Sequence, residues 1–169
     1  MPLGARLAEF RYHRFMLRDA SLIPLSHQHH NGLALCVLLR RSLQKDRTPE
    51  NIARLAARVI ERNDLELKNH FSIEEEVLFP AVAPYMEDPA LIEGLIADHR
   101  RVEEIVQLLA TAPEAKWLEE FMELLPGHIR REEKDLFEQA QARVPRDILD
   151  KAGIEIDARA VRLCLDAWA

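Results

Sequence analysis

With 169 residues and a formal charge of −6 from 23 basic and 29 acidic side chains in mixed order, the chain suits one domain. It lacks the basic footprint that a nucleic acid or an anionic membrane would require. Five glycines, no Asn-Gly hairpin signal and an abundance of Leu, Ala, Glu and Arg argue against sheets and phosphate-cradling loops, and predict an all-α fold.

Residues 1–24 read as an N-terminal extension packing on the body of the protein. Arg6, Arg11, Arg14 and Arg18 recur there at helical spacing, as on the solvated face of a short helix. No apolar run is long enough for a membrane span and no export signal is visible, so a cytoplasmic location is expected.

Ser26 is placed to cap a first helix near 25–46, whose apolar stripe is Leu33, Cys36, Leu39 and Leu43. Thr48-Pro49-Glu50 opens a second helix near 49–80, which Pro80 and Pro84 should end. Asp88-Pro89 opens a third near 89–111, and Ala112-Pro113-Glu114 a fourth near 114–142. Pro126-Gly127 should kink or split the fourth. Ile52, Leu55 and Val59 form one further seam, and Val102, Val106 and Leu109 another. The short connections make neighbours antiparallel, giving an up-down-up-down four-helix bundle over 25–142 with short extra helices at both termini. Residues 143–169 read as a C-terminal helical extension of the same domain. Pro145 opens a turn, Gly153 closes it, and Asp157 caps a last helix through Trp168. Cys36 and Cys164 lie far apart and read as small buried hydrophobes.

One pattern occurs three times at a spacing of 29 residues: His70-Phe-Ser-Ile-Glu74-Glu75, His99-Arg-Arg-Val-Glu103-Glu104 and His128-Ile-Arg-Arg-Glu132-Glu133. The first and third copies extend to Leu78-Phe79 and Leu136-Phe137. A separation of four puts His and Glu on one helix face, where both can reach a single ion. Pairs facing each other across a bundle can hold two metals joined by carboxylates. His70 and His128 continue the apolar seams of their helices, and burying such groups without a cation would cost a few kcal/mol for each unpaired group, as an order of magnitude. In the first helix His29 is in step with Leu33, Cys36 and Leu43 and is preferred as a ligand, with His30 and His27 as alternatives. Imidazoles and carboxylates without thiolate suit iron or manganese, or zinc with fewer ligands. The Glu-x-x-His pattern of ferritin-like proteins is absent, as are H-E-x-x-H and G-x-S-x-G.

The segments Ser26-His-Gln-His-His30, His70 to Pro80, Asp98-His99 and His128 to Phe137, spread over residues 25–140, resemble the hemerythrin-like, or HHE cation-binding, family. The resemblance implies two iron ions bridged by oxide or hydroxide and by Glu74 and Glu132, with His29, His70, His99 and His128 as nitrogen ligands. Where oxygen-carrying members have a fifth histidine this chain has Glu103, a candidate ligand that argues against reversible oxygen carriage. The leading expectation is a protein that binds or senses oxygen, nitric oxide or peroxide. A second is a di-iron oxidoreductase or iron-donating repair protein using Glu103 or Glu75 for proton transfer. A third is a partner-binding helical module with a structural metal.

Overall fold

The computed structural model describes residues 17–163, which are mostly helical with no strand among them. A 3-10 turn, Ala20–Leu22, is capped by the Asp19 carboxylate, which accepts from the Ser21 amide. It leads into α1, Ile23–Lys45, with Pro24 in the first turn where its missing N–H costs nothing. Ser26 is therefore not the cap; its hydroxyl donates to Glu133 Oε1 at 2.7 Å.

Helix α2 covers 49–82 and starts at Pro49 after Thr48, whose hydroxyl accepts from the Asn51 amide. It is interrupted by two π-helical turns, Asn63–Leu67 and Glu74–Leu78. Pro80 lies within the segment Phe79–Val82 and does not end the helix. The widened turn ahead of it displaces the carbonyls that its ring would otherwise meet. The chain leaves through a 3-10 turn, Ala83–Tyr85, containing Pro84.

Helix α3 is Ala90–Thr111. Helix α4 covers 115–143 and runs through Pro126 without splitting. Its irregularity comes later, as a third π turn at Glu132–Leu136. Helix α5, Arg146–Arg159, contains both Gly153 and Asp157, so neither closes a turn nor caps a new helix. Gly153 instead lets α5 lie against the first 3-10 turn, since a Cβ there would stand 2.5 Å from Ser21 Cβ and 2.7 Å from its Cα. Arg6, Arg11, Arg14, Cys164 and Trp168 fall outside the described residues. No helix among the described residues is long and apolar enough to cross a membrane.

The four long helices close a ring in which α1 packs on α4, α4 on α3, α3 on α2 and α2 on α1. Arg47 at the end of α1 pairs with Glu119 near the start of α4 at 2.9 Å, while Ser26 at the start of α1 meets Glu133 near the end of α4. Leu33, expected on the buried stripe, is 38% exposed; Leu35 takes its place in the core. Gly32 instead faces α4, where the side chains of Leu125 and Ile129 approach it.

The interior is divided. One apolar cluster gathers Leu39, Val59, Val106 and Phe121 towards one end, and another gathers Leu25, Leu78, Leu95 and Phe137 towards the other. Between these stretches of sequence, α1 to α4 each contribute a buried histidine, and α2 and α4 each add a buried glutamate. Exposure does not satisfy these polar groups, because water is excluded from them.

Candidate metal centre

His29, His70, His99, His128, Glu74 and Glu132 converge from four helices, and none is more than 3% exposed. They form two overlapping sets, His29, His70, Glu74 and Glu132 on one side and Glu74, His99, His128 and Glu132 on the other. Within each set, one ligand atom per residue lies within 4.8 Å of all the others. The two glutamates belong to both. Glu74 divides its oxygens, with Oε1 3.0 Å from His70 Nε2 and Oε2 3.3 Å from His99 Nε2. Glu132 Oε2 is 2.9 Å from His29 Nε2 and 3.2 Å from His128 Nε2.

Each imidazole is held from behind by a group on the next helix. His29 Nδ1 donates to Glu133 Oε1 at 2.6 Å, and His70 Nδ1 to Gln28 Oε1 at 2.9 Å. His99 Nδ1 donates to Glu75 Oε1 at 2.8 Å, and His128 Nδ1 to Asp98 Oδ2 at 3.1 Å. The four acceptors each adjoin a ligand in sequence, and each serves the histidine of a neighbouring helix, so the supports pass once around the bundle. Three are carboxylates tied to arginines: Glu133 to Arg18 at 2.6 Å, Glu75 to Arg100 at 2.5 Å, and Asp98 to Arg131. Arg18 is thus an ion-pair partner of the centre's support, not part of a solvated face. Such outer bonds set ring orientation and tautomer.

The electrostatic consequence is direct. With the proton on every Nδ1, four Nε2 lone pairs point inward, with His29 Nε2 3.1 Å from His70 Nε2 and His99 Nε2 3.3 Å from His128 Nε2. All four oxygens of Glu74 and Glu132 are buried without a hydrogen-bond donor. Acceptors crowded against acceptors in a dry interior need a cation or added protons. The donor set fits metal ions: imidazole nitrogens, carboxylates long enough to be shared, and outer partners already placed.

Aromatic rings wall the site. Phe71 stacks on His99 with ring centres 4.0 Å apart, Phe79 stacks on the same imidazole at 5.8 Å, and Phe137 stacks on His29 at 5.5 Å.

Several expected residues are placed elsewhere. Glu103 does not join the cluster: its side chain is 47% exposed and pairs with Arg100 at 3.3 Å. Its neighbour Val102 faces inward instead, so position 103 offers the centre neither a histidine nor a carboxylate. His27 and His30 are exposed, leaving His29 as the histidine of α1 that reaches the centre. Cys36 sits in the first apolar cluster, and burial pushes its thiol up to about 12, which leaves a neutral core side chain. Gln28, Glu75, Asp98 and Glu133 were not singled out as supports by sequence reasoning; their adjacency to ligands was the available signal.

In the metal-free protein, protons take the place of cations. Burial opposes a charge on His29, but bonding to Glu132, Glu133 and Glu74 outweighs it and raises its pKa well above the ordinary 6.5. His128 is raised as well, against burial, chiefly by Glu132. Burial of Glu74 resists ionisation, yet His70, His29 and His99 hold it well below the usual carboxylate range. Glu133, also resisted by burial, is held at about 2 by His29, Ser26 and Arg18.

A depressed carboxylate stabilises the fold above its unfolded value near 4.5, and that contribution is lost as pH falls towards 2. A raised imidazole stabilises it below 6.5, and that contribution is lost as pH climbs through the raised value. Thermal melts in chelator should therefore peak between pH 4.5 and 6.5 and decline on both sides. Metal must displace the protons on His29 and His128, so saturating metal should move the optimum to higher pH. A melting temperature in chelator that climbs steadily from pH 6 to 9 would contradict this.

A search of curated proteins and of solved structures returned no significant match. The family model described as the hemerythrin HHE cation binding domain matches residues 23–140, which hold all six converging side chains and the four groups behind them. By that match, over most of its length, the chain belongs to the hemerythrin HHE cation-binding family.

Proposed function

We propose that the centre holds two iron ions and that the protein binds or senses a small oxidant or diatomic ligand, namely oxygen, nitric oxide or peroxide. The supporting observation is the division of the buried donors into two pairs of imidazoles that share Glu74 and Glu132. One ion would take His29 and His70, the other His99 and His128, and both glutamates would serve both. Iron held in this way supplies electron transfer and small-ligand binding. The chain supplies the rest. Gln28, Glu75, Asp98 and Glu133 hold the imidazoles in the tautomer that presents Nε2, and Phe71, Phe79 and Phe137 exclude water around them.

With Glu103 turned to solvent, two imidazoles and the two shared carboxylates would hold each ion, a donor set that in non-haem iron sites leaves positions open. Room for an external ligand follows from that count. Glu75 and Glu103 are both engaged with Arg100, and Glu75 also with His99, which disfavours either as a free proton-transfer group for an oxidoreductase.

Protein produced in iron-supplemented medium should contain two iron ions per chain, one for each donor set. It should absorb in the near-ultraviolet and visible, with a spectrum that azide or nitric oxide alters. Colourless protein with stoichiometric zinc, or an iron spectrum indifferent to both ligands, would defeat the proposal.

A further inference from the structure

Of the four histidines, His70 is the one whose outer acceptor carries no charge and no arginine. Its partner Gln28 is an amide, and an amide has two unlike ends. Oε1 accepts from His70 Nδ1, which leaves Nε2 to donate to Val161 O at 3.1 Å and Asn69 Oδ1 at 3.2 Å. Asn69, next to His70 in sequence, completes the arrangement on the chain that leaves α5. Its Nδ2 donates to Arg159 O at 3.0 Å, and its Oδ1 accepts from Val161 N at 3.0 Å. The Arg159 side chain holds the same segment to α2 through Ser72 and Glu76.

We propose that Gln28 and Asn69 are positioning residues that latch the C-terminal segment 159–161 to His70, so that metal at the centre and docking of this segment strengthen each other. The proposal rests on the reading that the centre binds metal.

The coupling follows from hydrogen-bond inventory. An imidazole without a metal can carry its proton on either nitrogen, and with the proton on Nε2 its Nδ1 repels Gln28 Oε1. An ion on Nε2 excludes that tautomer and holds the proton on Nδ1. Gln28 is then oriented with Oε1 towards His70 and its NH2 group towards the tail. The other three histidines give their Nδ1 protons to carboxylates, which have no donor end for the imidazole to orient. Linkage makes the effect reciprocal: whatever displaces the segment loosens His70, and loading the centre tightens the segment. A protein partner that captured the end of α5 would thereby sense the state of the centre.

The Val161 amide reports the latch, since its hydrogen is donated to Asn69. Hydrogen exchange would be measured on the full chain with and without iron(II) under anaerobic conditions, with metal content determined on the same samples. Loading should slow exchange at Val161 by roughly tenfold, within the usual range of coupling between sites. Gln28→Glu keeps an acceptor for His70 but cannot donate to the tail. It should lose the metal-dependent protection at Val161, with its metal content determined on the same samples. Asn69→Ala should exchange fast at Val161 in both states and bind iron about tenfold more weakly. If Gln28→Glu fails to fold by circular dichroism, Asn69→Ala carries the test. Equal Val161 exchange in loaded and metal-free wild type, with metal present by analysis, would overturn the latch and leave the metal reading intact. Wild type that takes up no metal would overturn both.

Discussion

Glu74→Gln should leave a folded protein that no longer retains metal through dialysis. Glu74 is fully buried, and it is the side chain whose two oxygens are divided between the two pairs of histidines. An amide of the same size offers one oxygen, and turns an NH2 group towards the imidazoles on the other side. Losing an outer partner typically costs 10–100-fold in metal affinity. Losing a shared ligand should therefore exceed roughly 100-fold by that yardstick. Metal per chain after dialysis is the measurement, and wild-type content in the variant would refute the assigned role. Glu103→Gln is the informative companion. Its side chain faces water beside Arg100, so metal content should stay at the wild-type level.

Phe71→Ala should produce a large loss of fold stability, about 3–5 kcal/mol for a buried phenylalanine. The ring belongs to the first apolar cluster while stacking on His99 at 4.0 Å and meeting His128 edge-on at 6.0 Å. Removing it opens a cavity and takes away the surface that keeps the His99 ring in plane. Urea unfolding in chelator isolates the packing loss, and repeating it with saturating metal adds the loss of metal binding. Phe71→Leu, which retains most of the apolar volume, should cost much less in chelator. A Phe71→Ala loss below about 1 kcal/mol would show that the neighbours close the gap.

The helices were legible because prolines and polar caps mark their starts, and His70, Glu74, His99, His128 and Glu132 because they extend apolar seams. Glu103 misled because a four-residue spacing was treated alike in three helices. In α3 the buried seam runs Leu95, His99, Val102, Val106, Leu109, and the step after His99 is three residues, which turns position 103 outward. In α2 and α4 the seam takes two steps of four, through His70, Glu74 and Leu78 and through His128, Glu132 and Leu136. Successive steps of four outrun an α-helix of 3.6 residues per turn, and π turns absorb the excess. Those turns begin at Glu74 and Glu132. Leu78 and Leu136, present in two copies of the repeat and replaced by Gln107 in the other, carried that information in the sequence. The ring of supporting acceptors was not legible, because each member serves a histidine on another helix and a helix read singly shows no such relation. The tail's attachment to Asn69 and Gln28 was hidden for the same reason.

The π turns also make the chain tolerant of a one-residue change in its own length at particular places. Deleting one residue from 133–135 would return that stretch to α-helical pitch, and Leu136, then seven residues beyond His128, would still face within about 20° of it. His128 would stay where it is, and Phe137 and Ala140 would keep their places in the second apolar cluster. A gap of one residue is minor in a connection such as 86–89. Here too the loss of the bulge would absorb it, whereas the same deletion in regular helix would swing everything beyond it by about 100°.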